Sequence, residues 1–149
     1  MEIERVAELG PDALATLIAE SEASGLRFVR RLVDDWATAA NRFDRPGEAL
    51  FVARDGSAIV GVGGLNVDPY TADASVGRVR HLYVLAAHRR RGIGERLVAA
   101  IVDAARGRFH ALRLSTSNRE AAQLYERLGF RPRVGDAACT HVMPLATAR

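Results

Sequence analysis

The chain contains no lysine: all 21 of its basic residues are arginine. That removes lysine Schiff-base chemistry and a Walker-type phosphate lysine together. There is one cysteine, Cys139, which excludes an internal disulfide and any multi-cysteine metal site. No sequence neighbour of Cys139 would lower its pKa, so it reads as a small core residue rather than a nucleophile. Aromatic residues make up only 6% of the chain and are not interleaved with basic ones as in an RNA-stacking surface. No apolar run approaches the ~20 residues of a membrane span. The first residues carry Glu2 and Glu4 rather than the basic region of a signal peptide. The expectation is a soluble cytoplasmic protein with no membrane partner. The four histidines, His81, His88, His110 and His141, lack metal-ligand spacing, so no metal is expected. The Gly-x-Ser-x-Gly elbow of serine hydrolases is also missing.

What is present suits one domain spanning residues 1–149. Hydrophobic residues are 48% and charged residues 26% of the 149, enough for a sizeable core. The formal net charge of +3 hides an asymmetry. Residues 1–75 hold 7 arginines against 13 acidic residues, whereas residues 76–149 hold 14 against 5. The second half should attract a polyanion, unless its arginines form only a solvated surface.

The apolar pattern divides the chain into alternating elements. Glu2 to Leu9 alternates as a first strand. A helix opens at Pro11-Asp12 with Leu14, Leu17, Ile18 and Ser21 on one face and stops at Gly25. Phe28, Val29, Leu32, Val33, Trp36, Ala37 and Ala40 define a second amphipathic helix. Ala49 to Arg54 and Ala58 to Val67 read as a hairpin around Asp55-Gly56, and Gly61, Gly63 and Gly64 point to a bulge or close backbone approach. Val79 to Leu85 is a strand, and Leu97, Val98, Ile101, Val102 and Ala105 form one face of a helix ending near Arg106-Gly107. Phe109 to Ser115 alternates as a strand. Ser117 and Glu120 have capping-box spacing, and Ala121, Leu124, Tyr125 and Leu128 follow on one helical face before Gly129. Phe130 to Arg133 and Ala138 to Leu145 close the chain as strands. The order β-α-α-β-β-β-α-β-α-β-β predicts a mixed α/β sheet with helices on both faces.

The stretch from Val79 to Leu97 carries the strongest functional signal. It runs strand, basic turn, two glycines and helix start. Free N–H groups of a first helical turn bind anions, and the helix dipole adds to that. Arg89, Arg90 and Arg91 beside the turn point to a phosphate-bearing ligand. A dinucleotide fingerprint fails, because Leu97 stands three residues after Gly94 and no acidic residue lies at the ribose-binding distance. What remains is Arg89-x-x-Gly92-x-Gly94 between strand and helix.

That pattern resembles the signature Gln/Arg-x-x-Gly-x-Gly/Ala of the GCN5-related N-acetyltransferase (GNAT) superfamily. Leu82-Tyr83-Val84 is similar to the family's acyl-binding strand. Asn118 to Phe130 is similar to its second motif, in which an Asn opens a helix and a Tyr, here Tyr125, stands seven residues on. The resemblance covers Val79 to Phe130, about a third of the chain, and the element order agrees with the family's mostly antiparallel central sheet. It implies acetyl-coenzyme A as co-substrate and a small-molecule or peptide amine as partner. The amides of Arg90, Arg91, Gly92, Ile93 and Gly94 would hold the pyrophosphate, with Arg89 and Glu95 flanking them. The pantetheine arm would lie between two diverging parallel strands, Val79–Leu85 and Phe109–Ser115, splayed by a bulge near Leu82–Val84. The Val84 amide would bind the thioester oxygen. Tyr125, protonated at neutral pH, would donate to the departing thiolate. Asn118 would bind the coenzyme or cap its helix.

The acceptor side is less determined. The positions where relatives carry a Glu or His base are Arg78 and Arg80 here, and arginine stays charged. His81, His141 or water remain as base candidates, although strand alternation points His81 to the face away from Arg80. Arg78 and Arg80 would pair with an acidic group on the acceptor, while Asp34, Asp35, Asp68 and the acidic first half favour a cationic one. Phe28, Trp36 and Tyr70 could line its pocket. A non-catalytic coenzyme A-binding or regulatory module is the alternative reading. A nucleic-acid binder using Arg89–Arg91 is a third, although no nucleic-acid partner is expected. The family also forms homodimers.

Overall fold

A computed structural model describes residues 1–146; residues 147–149 of the expected single domain lie outside the described residues. The elements are β1 (Glu2–Arg5), α1 (Ala15–Ala23), α2 (Phe28–Ala37), β2 (Ala49–Asp55), β3 (Ala58–Val67), β4 (Val76–Val84), α3 (Ile93–Ala105), β5 (Ala111–Leu114), α4 (Arg119–Arg127), β6 (Arg131–Pro132) and β7 (His141–Pro144). This is the order the apolar pattern predicts. The boundaries move inward at several ends. β1 stops at Arg5, residues 11–14 form a turn before α1 rather than its first residues, and the last two strands shorten.

The strands form one sheet in the order β1-β2-β3-β4-β5-β7-β6. Every pair is antiparallel except β4 with β5, as expected for these two strands, because the α3 crossover connects them in one direction. Helices cover both faces. On one side, Leu14 of the turn before α1, Leu17 of α1, and Val29 and Leu32 of α2 pack against Leu50, Val52, Val62 and Tyr83. On the other, Val98, Ile101, Val102 and Ala105 of α3 and Tyr125 of α4 pack against Leu65, Val79, Leu112, Leu114 and Met143. The five α3 residues picked out by helical spacing are all buried. Each of the four larger ones, Leu97, Val98, Ile101 and Val102, contributes roughly 1.5–3 kcal/mol of hydrophobic burial.

The glycines of β3 set how closely the layers approach. A Cβ on Gly61 would stand 3.1 Å from Leu97 of α3, and one on Gly63 3.2 Å from Ile101. On the opposite face a Cβ on Gly64 would stand 2.5 Å from the Phe43 ring. The bare backbone of β3 therefore seats α3 on one side and Phe43 on the other. A buried polar network closes the near edge: Glu48 Oε2 accepts from Asn66 Nδ2 and from the Val67 amide. No helix among the described residues is long and apolar enough to cross a membrane.

Candidate active site

The β4–β5 pairing is short. It runs Val76↔Ala111, Gly77↔Leu112 and Arg78↔Arg113 and then stops, while β4 continues to Val84. From Val79 onward one edge of β4 has no strand beside it among the described residues. The other edge stays paired with β3 up to Gly61↔Val84, and the Leu85 amide donates to the Val60 carbonyl at 2.9 Å. In an antiparallel ladder the bonded edge alternates from residue to residue. The Val84 backbone therefore points away from β3, into the gap, where its carbonyl accepts from Arg89 Nε at 2.9 Å.

The bulge lies slightly upstream of the expected position. Two residues of β4, His81 and Leu82, stand opposite Gly63 between the pairs Gly64↔Arg80 and Val62↔Tyr83. His81 takes a left-handed backbone, φ 61°, a conformation histidine tolerates better than β-branched residues. The extra residue breaks the alternation and overturns the expected orientation of this side chain. His81 faces α1 and α2, with its ring 6.4 Å from Phe28 and 6.1 Å from Phe43. Its Nδ1 lies 3.0 Å from the Phe28 carbonyl. Nδ1 therefore carries the hydrogen, and Nε2 is buried with no partner among the described residues. Desolvation, then the nearby Arg80 charge, depress its pKa to about 4.

Beyond β4 a single 3₁₀ turn, Ala86–His88, leads into the arginine cluster. Arg90 and Gly92 both adopt left-handed φ, 64° and 77°, so successive amides curve around a concave space suited to an anion. Gly92 caps α3 without a side-chain bond, and the first helical bond runs from Arg96 N to Gly92 O. The amides of Ile93, Gly94 and Glu95 are thus free of helical partners. Arg89, Arg90, Arg91 and Glu95 are exposed, Gly94 is half-buried and Ile93 is buried. A Cβ at Gly94 would stand 3.3 Å from Leu124 of α4, which explains the small residue there.

Sequence reasoning missed the contribution of α1. Tyr83 Oη donates to Glu20 Oε2 at 2.6 Å, the Ala86 amide donates to the same oxygen at 3.0 Å, and Arg89 Nη2 lies 4.0 Å from it. The Tyr83 hydroxyl bond is the main cause that holds the Glu20 carboxyl below its ordinary range. Burial and the same bond push Tyr83 up to about 12. Leu82 packs on the α3 side of the sheet and Tyr83 on the α1 side. Glu20 had no local signal, since its partners lie more than sixty positions away.

At α4 the cap moves by one residue. Asn118, not Ser117, caps the helix, its Oδ1 accepting from the Ala121 amide at 3.0 Å. Thr116 Oγ1 in turn accepts from the Asn118 amide, which fixes the extended backbone a cap requires. Tyr125 is buried, its ring edge-on to Phe130 at 5.6 Å, and burial raises its pKa well above the ordinary tyrosine value. His141 is engaged, with Nε2 2.9 Å from Glu126 and Nδ1 2.9 Å from Thr140 Oγ1. Cys139 is buried, as read from the sequence.

The face opposite α3 carries the arginines. Asp68 is fully buried and its Oδ2 lies 3.3 Å from Arg78 Nη1 and 2.9 Å from Arg113 Nε. Its Oδ1 accepts from the Tyr70 amide. Arg78 also donates to Ser115 Oγ at 2.8 Å and lies over the Tyr70 ring at 4.6 Å. Trp36 stacks on Phe43 and Phe28 is half-buried, so of the three aromatics considered for a pocket only Tyr70 is exposed.

Residues 46–132 match the acetyltransferase (GNAT) domain family. No curated protein matches the chain. Among solved structures, a protein from Exiguobacterium sp. 255-15 assigned as an acetyltransferase is 30% identical, with TM-score 0.84 over 96% of this chain and 92% of that one. A GNAT-family acetyltransferase from Staphylococcus aureus Mu50 superposes with TM-score 0.72 at 16% identity, covering 97% of this chain and 100% of the other. The ribosomal-protein-alanine N-acetyltransferase of Brucella melitensis superposes with TM-score 0.69 at 19% identity, covering 95% of each. The last two likenesses show the fold alone.

Proposed function

This chain belongs to the acetyltransferase (GNAT) domain family and is an N-acetyltransferase; on that premise we propose that it moves an acetyl group from acetyl-coenzyme A directly to a primary amine in a ternary complex. The observation that carries the reading is the unpaired β4 edge. β5 leaves it after Arg78↔Arg113, and the Val84 backbone points into the gap. Next to it lie the free amides of Ile93, Gly94 and Glu95 at the start of α3. An extended arm with amide groups fits the first, and a pyrophosphate fits the second.

In this proposal the Arg90–Gly94 backbone holds the pyrophosphate, with Arg89 and Arg91 adding charge. Leu82, Tyr83 and Val84 line the arm, and the Val84 amide donates to the thioester oxygen as negative charge develops there. The amine nitrogen bonds to the thioester carbon, and the carbon–sulfur bond breaks. Tyr125, kept protonated by burial, delivers a proton to the thiolate. Asn118 holds the first turn of the helix that carries Tyr125. The acceptor arrives as a neutral amine and gives its surplus proton to water. His141 is tied to Glu126, and His81 is held too acidic to take that proton efficiently.

The test is thiol release from acetyl-coenzyme A with a panel of amines, for the native enzyme and for Tyr125→Phe. The variant should keep coenzyme binding and lose turnover by about 10²-fold. Unchanged turnover would remove Tyr125 from the mechanism. Coenzyme binding without turnover on any amine would return the chain to a binding module.

A further inference from the structure

Resting on the acetyltransfer reading, we propose that the acceptor is an amine bearing an oxyanion group, a carboxylate or a phosphate, which Arg113 and Arg80 hold at the apex of the β4–β5 gap. Arg78 and Arg113 are the last paired residues before the strands part, so their side chains stand where that gap begins. Both lie on the face turned away from α3, because the neighbouring Val79, Leu112 and Leu114 pack on the α3 side. Two guanidinium groups there share one carboxylate, Asp68.

That sharing leaves Arg113 incompletely used. Arg78 is satisfied by Asp68, Ser115 and the face of Tyr70. Arg113 Nε lies close to Asp68 Oδ2, but its N–H is not directed at that oxygen. Its Nη2 is buried with no hydrogen-bond partner among the described residues. A buried guanidinium nitrogen without an acceptor is costly, and an oxyanion entering the gap would supply one. Arg80 lies two residues further along the same face of β4, about 7 Å on. It is half-buried and forms no ion pair among the described residues. The bulge adds His81 on that face as a neutral ring that donates nothing to an oxyanion, and Arg31 of α2 adds a further positive charge near it.

The carboxylates that favoured a cationic acceptor do not offset this. Asp68 is committed to the two arginines. Asp34 lines a separate concavity between α1 and α2 with Glu22 and Arg30. Asp35 is half-buried on α2, and Asp136, near Arg113, is engaged by the Ala138 amide and the Cys139 thiol.

The test uses acceptor pairs that differ only in the anionic group: an amino acid and its carboxamide, and O-phosphoethanolamine and ethanolamine, with spermidine as a cationic amine. Acetyl-coenzyme A binding is measured alongside by thermal shift. At least one anionic member should exceed its neutral partner in kcat/KM by roughly tenfold to a hundredfold, as charge-assisted hydrogen bonds allow. Which pair shows the preference tells carboxylate from phosphate. Arg113→Gln and Arg80→Gln should each collapse that ratio, mainly through the acceptor KM, and Arg113→Lys should restore part of it. General structural damage would lower both members of a pair alike and leave the ratio standing. Preference for spermidine or the neutral partners, transfer to none of the anionic amines, or an unchanged ratio in both glutamine variants overturns the inference. The acetyltransfer reading survives any of these while some amine is acetylated; absence of coenzyme binding overturns both.

Discussion

His81 should make the stability of this protein fall with acid well above the carboxylate range. Its ring is neutral in the fold because burial and the Arg80 and Arg31 charges disfavour the imidazolium, and its pKa drops from 6.5 to about 4. In the unfolded chain the ring takes up its proton near the ordinary value. A depressed folded pKa means that the unfolded state binds protons first as the pH falls. The stabilising contribution is therefore complete above 6.5 and is lost between 6.5 and 4. The full loss is ~3 kcal/mol, of which ~2 kcal/mol is gone by about pH 5. That is a substantial part of the 5–15 kcal/mol typical of a domain. Urea unfolding can be followed by the fluorescence of Trp36, the single tryptophan, which stacks on Phe43 close to His81. The comparison is His81→Asn, since asparagine tolerates the left-handed backbone. The variant loses ring packing at every pH, but it should lack the extra slope between neutral pH and about pH 5. His88, His110 and His141 are common to both proteins, so the difference isolates His81. Equal slopes in the two proteins would refute a buried neutral ring at the bulge.

Two further outcomes follow from the geometry. Asp68→Asn should destabilise the fold by ~3–5 kcal/mol, because the buried Arg78 and the largely buried Arg113 lose the one carboxylate between them; chemical denaturation measures this, and a loss under ~1 kcal/mol would show that water already compensates the pair. Asn118→Ala should cost ~1 kcal/mol through the lost cap, whereas Asn118→Asp should retain both stability and the KM for acetyl-coenzyme A; a raised KM in the aspartate variant would assign the Asn118 amide to the coenzyme instead.

The legible part of this fold was local. Helical spacing from Leu97 to Ala105, the alternation of Ala49–Val67 and the turn at Asp55-Gly56 each need only neighbouring residues, and each was found where the sequence placed it. The parallel pairing of β4 with β5 came instead from the family resemblance. What escaped were meetings across the sheet. Nothing near Glu20 announces Tyr83 and Arg89, and nothing near Asp68 announces Arg113. The Ser117–Glu120 spacing fits a capping box, yet Asn118 offers an equally good acceptor one position on, and the Thr116 hydroxyl decides between them.

The acceptor side shows why a charge count was not enough. Read as composition, Asp34, Asp35 and Asp68 and an acidic first half compete with the arginines of β4, and neither sign wins. Read as pairs, the most buried of those acids is spent on two arginines at once, and the balance at the gap becomes positive. A single inserted residue completes the arrangement. Without the bulge opposite Gly63, His81 would point toward α3, and the α1–α2 face would present arginines alone. With it, Arg80 and His81 turn to the same side. Burial and the Arg80 and Arg31 charges then keep the ring neutral, while the carbonyl of Phe28 orients it by accepting from Nδ1. A register shift of one residue is invisible to any count of residue types, yet it sets which groups an incoming amine would meet.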